Sequence, residues 1–329
     1  MAPRPTVSAV VATYNRRHAL PRFVDACLAA RGLDELVVAV DGSADGSFEY
    51  LRERERYDDR VTPVWVDHQG QFGALDAGAR TARGEVLLLL DDDVEVAPDT
   101  PAGHAAHHAT RRDLVVLGYM PTVLDASTAP EFATVLYDRE YESRCAHYEA
   151  DPSSVLTNLW GGHLSLRRSD YLALGYEPLA PPPGGEGIRL YHQDTEFGLR
   201  CRDRGLRGLF DRTLVARHHH QRSLDGFLSD SFGRGAVTVL ISRAHPDAPT
   251  PVGAGTDVDR VDGILRHLVR RPTLASLLGA MTTGVARVMV RTGSLKGATF
   301  AGKAARRVEL ARGAAVMEQL LDSNEPHVR

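Results

Sequence analysis

Val86-Leu87-Leu88-Leu89-Leu90-Asp91-Asp92-Asp93 is the stretch that decides the fold. Five apolar residues without polar alternation describe a strand buried on both faces, as in a parallel sheet covered by helices. Three carboxylates at its end repel one another, so packing gives little reason for them. A hard divalent cation with oxygen ligands would relieve that repulsion. The plainer reading is a solvated acidic turn that caps the next helix. Position at the end of a buried strand favours the metal.

Working outward, the upstream sequence alternates between two periods. Residues 7–12 and 36–40 are apolar, β-branched runs suited to buried strands. Residues 61–66 form a third strand, which Pro63 confines to an edge or a strand end. Between them lie helices over 21–30, opened by Pro21 and ended by Gly32, over the charged stretch 47–56, and over the small-residue stretch 73–82. This order predicts a doubly wound parallel sheet, whose ligands bind beyond the carboxyl ends of its strands. Three polar clusters follow strands there: Thr13-Tyr14-Asn15, Asp41-Gly42-Ser43 and Asp91-Asp92-Asp93.

Downstream the pattern is less regular. Strands are expected at 114–117, 163–166 and 213–216, and helices at 131–148, from 169 onward, and at 193–204. The segment 177–187, with three prolines in a row and three glycines, reads as a loop. From Leu224 onward the chain reads as helices.

The chain has 329 residues and a net charge of -4, split between a body of -10 over residues 1–260 and a tail of +6 over residues 261–329. No overall basic field favours nucleic acid. Three scattered cysteines make neither a disulfide framework nor a zinc spacing, which points to a reducing, cytoplasmic setting. The most apolar long segment, 274–290, contains Arg287 and is rich in Gly, Thr and Ala, so no membrane span is expected. The basic C-terminal segment could touch anionic lipid peripherally or meet a phosphorylated acceptor; a solvated face on helices packed against the acidic body is the simpler reading.

Four further groups carry candidate chemistry. Asp41 ends the second strand on the same edge as Asp91, where a carboxylate could accept from a base or a ribose. Asp45 or Ser47 reads as the cap of the next helix. Gln193-Asp194-Thr195-Glu196 opens a helix after the Pro/Gly loop; acids there complement the helix dipole, and Asp194 is also a general-base candidate. In His218-His219-His220, alternation places His218 and His220 on one side and His219 on the other. Trp160-Gly161-Gly162-His163 could let a ligand approach the backbone closely, or be a simple turn.

In order, these motifs resemble the inverting glycosyltransferases of family 2, with the GT-A fold. The matching elements run from residues 10–16 through 40–47, 78–85, 90–93 with Pro98, 162–168 and 174–176 to 193–197 with Arg200 and Gly205, across roughly residues 5–222. The resemblance implies an α/β, GT-A-type doubly wound mixed sheet with a helical C-terminal extension. It implies a domain at 1–222, made of a Rossmann-like nucleotide-sugar half (1–100) and an acceptor half (101–222), then a helical, basic extension at 223–329. Thr13, Tyr14, Asn15, Asp41, Gly73, Asp91, Asp92 and Gly162 would bind the nucleotide sugar. Asp93, from the D-x-D motif, and a histidine of the 218–220 run, His218 preferred, would hold Mn2+ or Mg2+. Asp194 would be the catalytic base. The donor would be a nucleoside-diphosphate sugar, with a UDP-sugar favoured. The acceptor is left open among glycan, lipid-linked sugar, peptide and small natural product. The chain departs from the family pattern at Val40, at Ala74-Leu75-Asp76 and at Gln193, which leaves the donor sugar open. A nucleotidyltransferase acting on sugar phosphates and a non-catalytic nucleotide-sugar-binding module are the alternatives.

Overall fold

A computed structural model describes residues 4–124, 132–248, 260–292 and 295–324. It divides into two compact units interleaved along the chain. The first comprises Met1–Val123, Glu142–Pro178 and Phe197–His220; the second comprises Leu124–Tyr141, Leu179–Glu196 and Gln221–Arg329.

The first unit is built on the parallel strands foreseen in the sequence: β1 (Val7–Thr13), β2 (Glu35–Asp41), β3 (Val61–Val66) and β4 (Val86–Leu90). Helices α1 (Leu20–Ala29), α2 (Ser47–Tyr57) and α3 (Gly70–Thr81) connect them. Then follow β5 (Val94–Val96), α4 (Thr100–Thr110), β6 (Leu114–Tyr119), α5 (Phe132–Ala150), β7 (His163–Arg167), α6 (Arg168–Leu174), α7 (Asp194–Asp203) and β8 (Arg207–His218). Of the expected helix at 131–148, Glu131 lies outside the described residues. The sheet order is β3-β2-β1-β4-β7-β6-β8-β5. Strands β1 to β4 pair in parallel, whereas β7 runs antiparallel to both β4 and β6. The sheet is thus mixed and of GT-A type. Strand β3 lies at one edge, which is where Pro63 costs no ladder hydrogen bond.

The core confirms the double burial read from residues 86–90. Val86, Leu87 and Leu88 are wholly inaccessible, and Leu87 and Leu89 pack with Val10, Val37, Leu117, Leu164, Tyr171 and Phe197. Burying one such side chain stabilises by about 1.5–3 kcal/mol, so this layer is the main apolar anchor of the unit.

A polar cluster lies inside this unit. His104 and His108 of α4 are fully buried, and both ring systems reach Ser165 Oγ, at 2.7 and 2.9 Å. His104 Nε2 lies 3.0 Å from Nε2 of His163, so one ring donates to the other. Burial makes the charged form costly and pushes His108 and His163 down to about 4, from an ordinary value of 6.5. The unfolded chain therefore takes up these protons first. The stabilisation is complete above pH 6.5 and is lost as pH falls toward about 4. For His108 it amounts to about 3 kcal/mol. Denaturant melts across this range should lose stability steeply on acidification, and His108→Gln should make the slope shallower by about one proton. An unchanged slope would show that His108 binds its proton equally well in the folded and unfolded chain.

In the second unit, α8 (Leu224–Ala244), α9 (Arg260–Val269), α10 (Pro272–Arg291) and α11 (Leu295–Asn324) form the helical part. Ala133 and Leu136 of α5 pack here with Phe227, Leu228, Ala286, Ala301 and Ala305. Helices α8 and α11 approach backbone to backbone: a Cβ on Gly235 would lie 1.9 Å from the Leu310 carbonyl oxygen. By length and composition α10 is apolar enough to cross a membrane, with a mean hydropathy of 1.4. It passes by length and composition alone, with Arg287 and Arg291 as its two charges.

Candidate functional site

The carboxyl ends of β1, β2 and β4 meet at one edge of the sheet, where strand order reverses between β1 and β4. Strand β5 follows Asp93 directly and pairs antiparallel with the end of β8, Val94 opposite His218. The backbone amide of His219 donates to the Asp93 carbonyl oxygen at 2.8 Å. This pairing carries the histidine run to the carboxylates.

Asp93 Oδ1 lies 3.1 Å from His218 Nε2, and Asp93 Oδ2 lies 3.6 Å from His220 Nδ1. The rings of His218 and His220 stack at 4.8 Å. His219 faces away, with Nε2 2.9 Å from Glu95 Oε2. One ligand atom from each of Asp93, His218 and His220 lies within 4.8 Å of the others, close enough to share one ion. Arg16 completes the surroundings, with Nη2 3.3 Å from Asp93 Oδ2 and Nε 3.7 Å from Asp92 Oδ1. Burial alone would raise the Asp93 carboxyl; hydrogen bonds from His218 and His220, with their charge and that of Arg16, hold it well below the ordinary carboxylate range. Asp92 moves the other way. Burial raises it, against the pull of Arg16 and the hydrogen bond from Thr13.

Thr13, Asn15, Asp41 and Asp91 stand at the carboxyl ends of β1, β2 and β4. Thr13 Oγ1 donates to Asp92 Oδ2 at 2.7 Å. Asn15 has a left-handed backbone, φ 51°; its amide donates to Ser43 Oγ and its Oδ1 accepts from the Ala44 amide, tying the loops after β1 and β2 together. Asp41 is buried, and its carboxylate accepts from the amides of Gln69 and Gly70 at 2.6 and 3.0 Å. That explains why α3 starts three residues before the stretch expected from its small residues: Asp41 satisfies the first free amides of the helix. Gly73 sits within α3, against the Gln69 side chain. The Asp91 amide donates to the Gly162 carbonyl oxygen at 3.0 Å. Gly162 has φ 96°, and a Cβ there would lie 2.4 Å from Asp91 Oδ2, so only glycine fits. Asp45 accepts from the backbone of Arg17 and Ser47 and from Ser47 Oγ, while the cap position of α2 is Gly46. Asp76 pairs with Arg80 at 2.7 Å, one helical turn along. Asp194 is the first residue of α7, in the second unit. Phe197 and Cys201 of the same helix are wholly buried.

His68 and Arg16, which sequence reasoning did not single out, join this edge beside the expected Tyr14. Tyr14 is half exposed, and its ring lies 4.6 Å from that of His68, which follows β3 with φ 38°. Arg16, quoted only within a motif, proves to be the cation beside both buried carboxylates. His68 leaves a faint sequence signal, a ring just after a strand end. Nothing local marks the reach of Arg16 across to β4.

Known proteins resemble this chain in sequence and in fold. The sequence model of "Glycosyl transferase family 2" matches residues 8–154. An uncharacterized glycosyltransferase of Nostoc sp. is 36% identical over 89 residues, covering 26% of this chain and 28% of that protein. The undecaprenyl-phosphate 4-deoxy-4-formamido-L-arabinose transferase of Proteus mirabilis is 30% identical over 99 residues, covering 28% of this chain and 30% of that protein. The chain thus spans under a third of the length of these curated relatives. Among solved structures, a mannosyltransferase of Pyrobaculum calidifontis in complex with GDP-Man and Mn2+ aligns over 98% of this chain and 89% of that one, with a TM-score of 0.59 and 18% identity, a likeness of fold. Residues 8–154 thus match the sequence model of family 2 glycosyltransferases, and the chain carries a GT-A-type fold.

Proposed function

We propose that the chain is a metal-dependent, inverting glycosyltransferase that moves a sugar from a nucleoside-diphosphate sugar, a UDP-sugar foremost, to a hydroxyl or other nucleophile. The observation that supports this reading best is the cluster of Asp93, His218 and His220 at the switch point of the sheet. One carboxylate and two imidazoles fit a transition-metal ion such as Mn2+ better than Mg2+, which prefers oxygen ligands alone. Such an ion supplies positive charge to the diphosphate leaving group.

The chain's own residues supply the rest. The Tyr14–His68 pair offers an aromatic platform for the base. Asp91, beside Gly162 and half-buried, would meet a ribose or sugar hydroxyl. Arg16 stands beside Asp92 and Asp93 and partly offsets their negative charge. Asp194 takes the proton of the attacking hydroxyl. The new bond forms at the anomeric carbon on the face opposite the departing diphosphate. The bond to that diphosphate breaks with its electron pair on the phosphate oxygen, which inverts the configuration. The acceptor belongs to the lipid-phosphate class if it follows the Proteus mirabilis relative, which is named for undecaprenyl phosphate.

Nucleoside diphosphate release from a panel of UDP- and GDP-sugars, with Mn2+ and with a chelator, tests the reading. One donor should be turned over, and the chelator should stop it. Pyrophosphate release from a nucleoside triphosphate and a sugar phosphate would instead indicate a nucleotidyltransferase. Donor binding without turnover on any acceptor would indicate a binding module.

A further inference from the structure

Helix α10 reverses the usual distribution of side chains. Its buried face is small: Ala275, Gly279 and Ala286. Its exposed face is large and apolar: Leu277 (60% exposed), Met281 (65%), Val285 (51%) and Val288 (54%). Their spacing of four, four and three residues puts them on one stripe. A solvated helix face carries polar residues, and a contiguous apolar stripe marks a surface that something covers.

The charge around the stripe says what covers it. Between residues 263 and 308 the chain holds nine basic residues and no acidic one. Arg270 and Arg271 stand exposed before the first turn of α10, and Arg291 stands exposed at its end. An apolar stripe bounded by cations suits an anionic bilayer surface, where the stripe enters the acyl boundary and the arginines meet lipid phosphates. We infer that α10 lies flat on an anionic membrane, with Leu277, Met281, Val285 and Val288 inserted.

The opposite face excludes a spanning arrangement. A Cβ on Gly279 would lie 2.5 Å from Arg312 Nη1 and 3.0 Å from Glu309 Oε1, so α10 rests directly on the charged pair of α11. Glu309 and Arg312 pair at 2.7 Å, and Glu309 is 8% exposed. A spanning α10 would carry these charges into hydrocarbon or tear away from them, and either is costly. Lying flat keeps them on the protein side. The 20-residue helix then presents a strip about 30 Å long. This surface is independent of the catalytic reading, because it can be measured without donor or metal.

Sedimentation of the full chain with vesicles tests it, using equal parts of phosphatidylcholine and phosphatidylglycerol against phosphatidylcholine alone. The unmodified chain should partition onto the mixed vesicles about tenfold or more over the neutral ones, and less at high salt. Combining Leu277→Gln, Met281→Gln, Val285→Gln and Val288→Gln should reduce that partition about tenfold or more, with the circular dichroism spectrum unchanged. Combining Arg270→Gln, Arg271→Gln and Arg291→Gln should remove the preference for anionic lipid. Equal partition onto both vesicles, or a glutamine variant that binds as well as the parent, would overturn the inference. So would a dimer that the glutamine variant dissolves without any vesicle binding, which would assign the stripe to a second copy of the chain.

Discussion

Asp93→Asn is expected to lower Mn2+-supported release of nucleoside diphosphate by roughly a hundredfold or more, the kinetic equivalent of the several kcal/mol a catalytic cation supplies. Asparagine preserves the shape of the side chain and removes its charge. His218 and His220 would then face an amide instead of a carboxylate, and two imidazoles alone hold a divalent cation weakly. The activity that remains should require a much higher Mn2+ concentration, which a metal titration reads directly. Asp93 is buried beside Arg16 as well, so a thermal melt must accompany the assay. A folded variant with normal activity and a normal Mn2+ requirement would remove Asp93 from the metal.

Asp194→Asn should separate chemistry from binding. General-base catalysis contributes about 10²–10⁴-fold, so kcat should fall by that much. The KM for the donor should hardly move, since the base acts on the acceptor hydroxyl and not on the nucleotide. The acidic limb of the pH–rate profile, where a carboxylate base becomes protonated, should disappear. Asp194 opens a helix whose next turn is fixed by the buried Phe197 and Cys201, so an uncharged side chain of the same size should be tolerated there. A variant as fast as the parent would leave Asp194 with only its complement to the helix dipole.

How much of this was legible in the sequence varied with the range of the interactions. Strands β1 to β4 were, because burial on both faces writes an unbroken apolar run; β3 and β4 have the expected bounds. Strand β5 was not, since three residues carry no period and its existence depends on pairing with β8. Strand β8 was read only in part. Its first half contains Arg207, Asp211 and Arg212, and it is held by β6 and by the pairing of Arg212 with Glu142 and Glu149. At the candidate site, alternation alone separated His219 from His218 and His220. It could not show that both rings of one face reach Asp93. The Asp41 carboxylate on the first amides of α3 was equally hidden, because the sequence shows a strand end and a helix start but not the bend between them.

The β5–β8 pairing has a consequence for how the molecule acquires its cation site. His219 and Glu95, which pair across it, are 124 residues apart in the chain. Contacts of such long separation form after the local elements, since the closure entropy of the intervening chain must be overcome before they gain anything. During synthesis Asp93 emerges long before His218 and His220, and it stays a lone carboxylate beside Asp92 until β8 docks. The cluster is therefore complete only in a chain whose sheet is already closed. A metal bound there would favour that closed sheet over every earlier species, by an amount that rises with the free metal concentration. On the proposed reading, cation supply and the lifetime of the folded sheet would be linked through Asp93 after β4 and His218 and His220 at the end of β8.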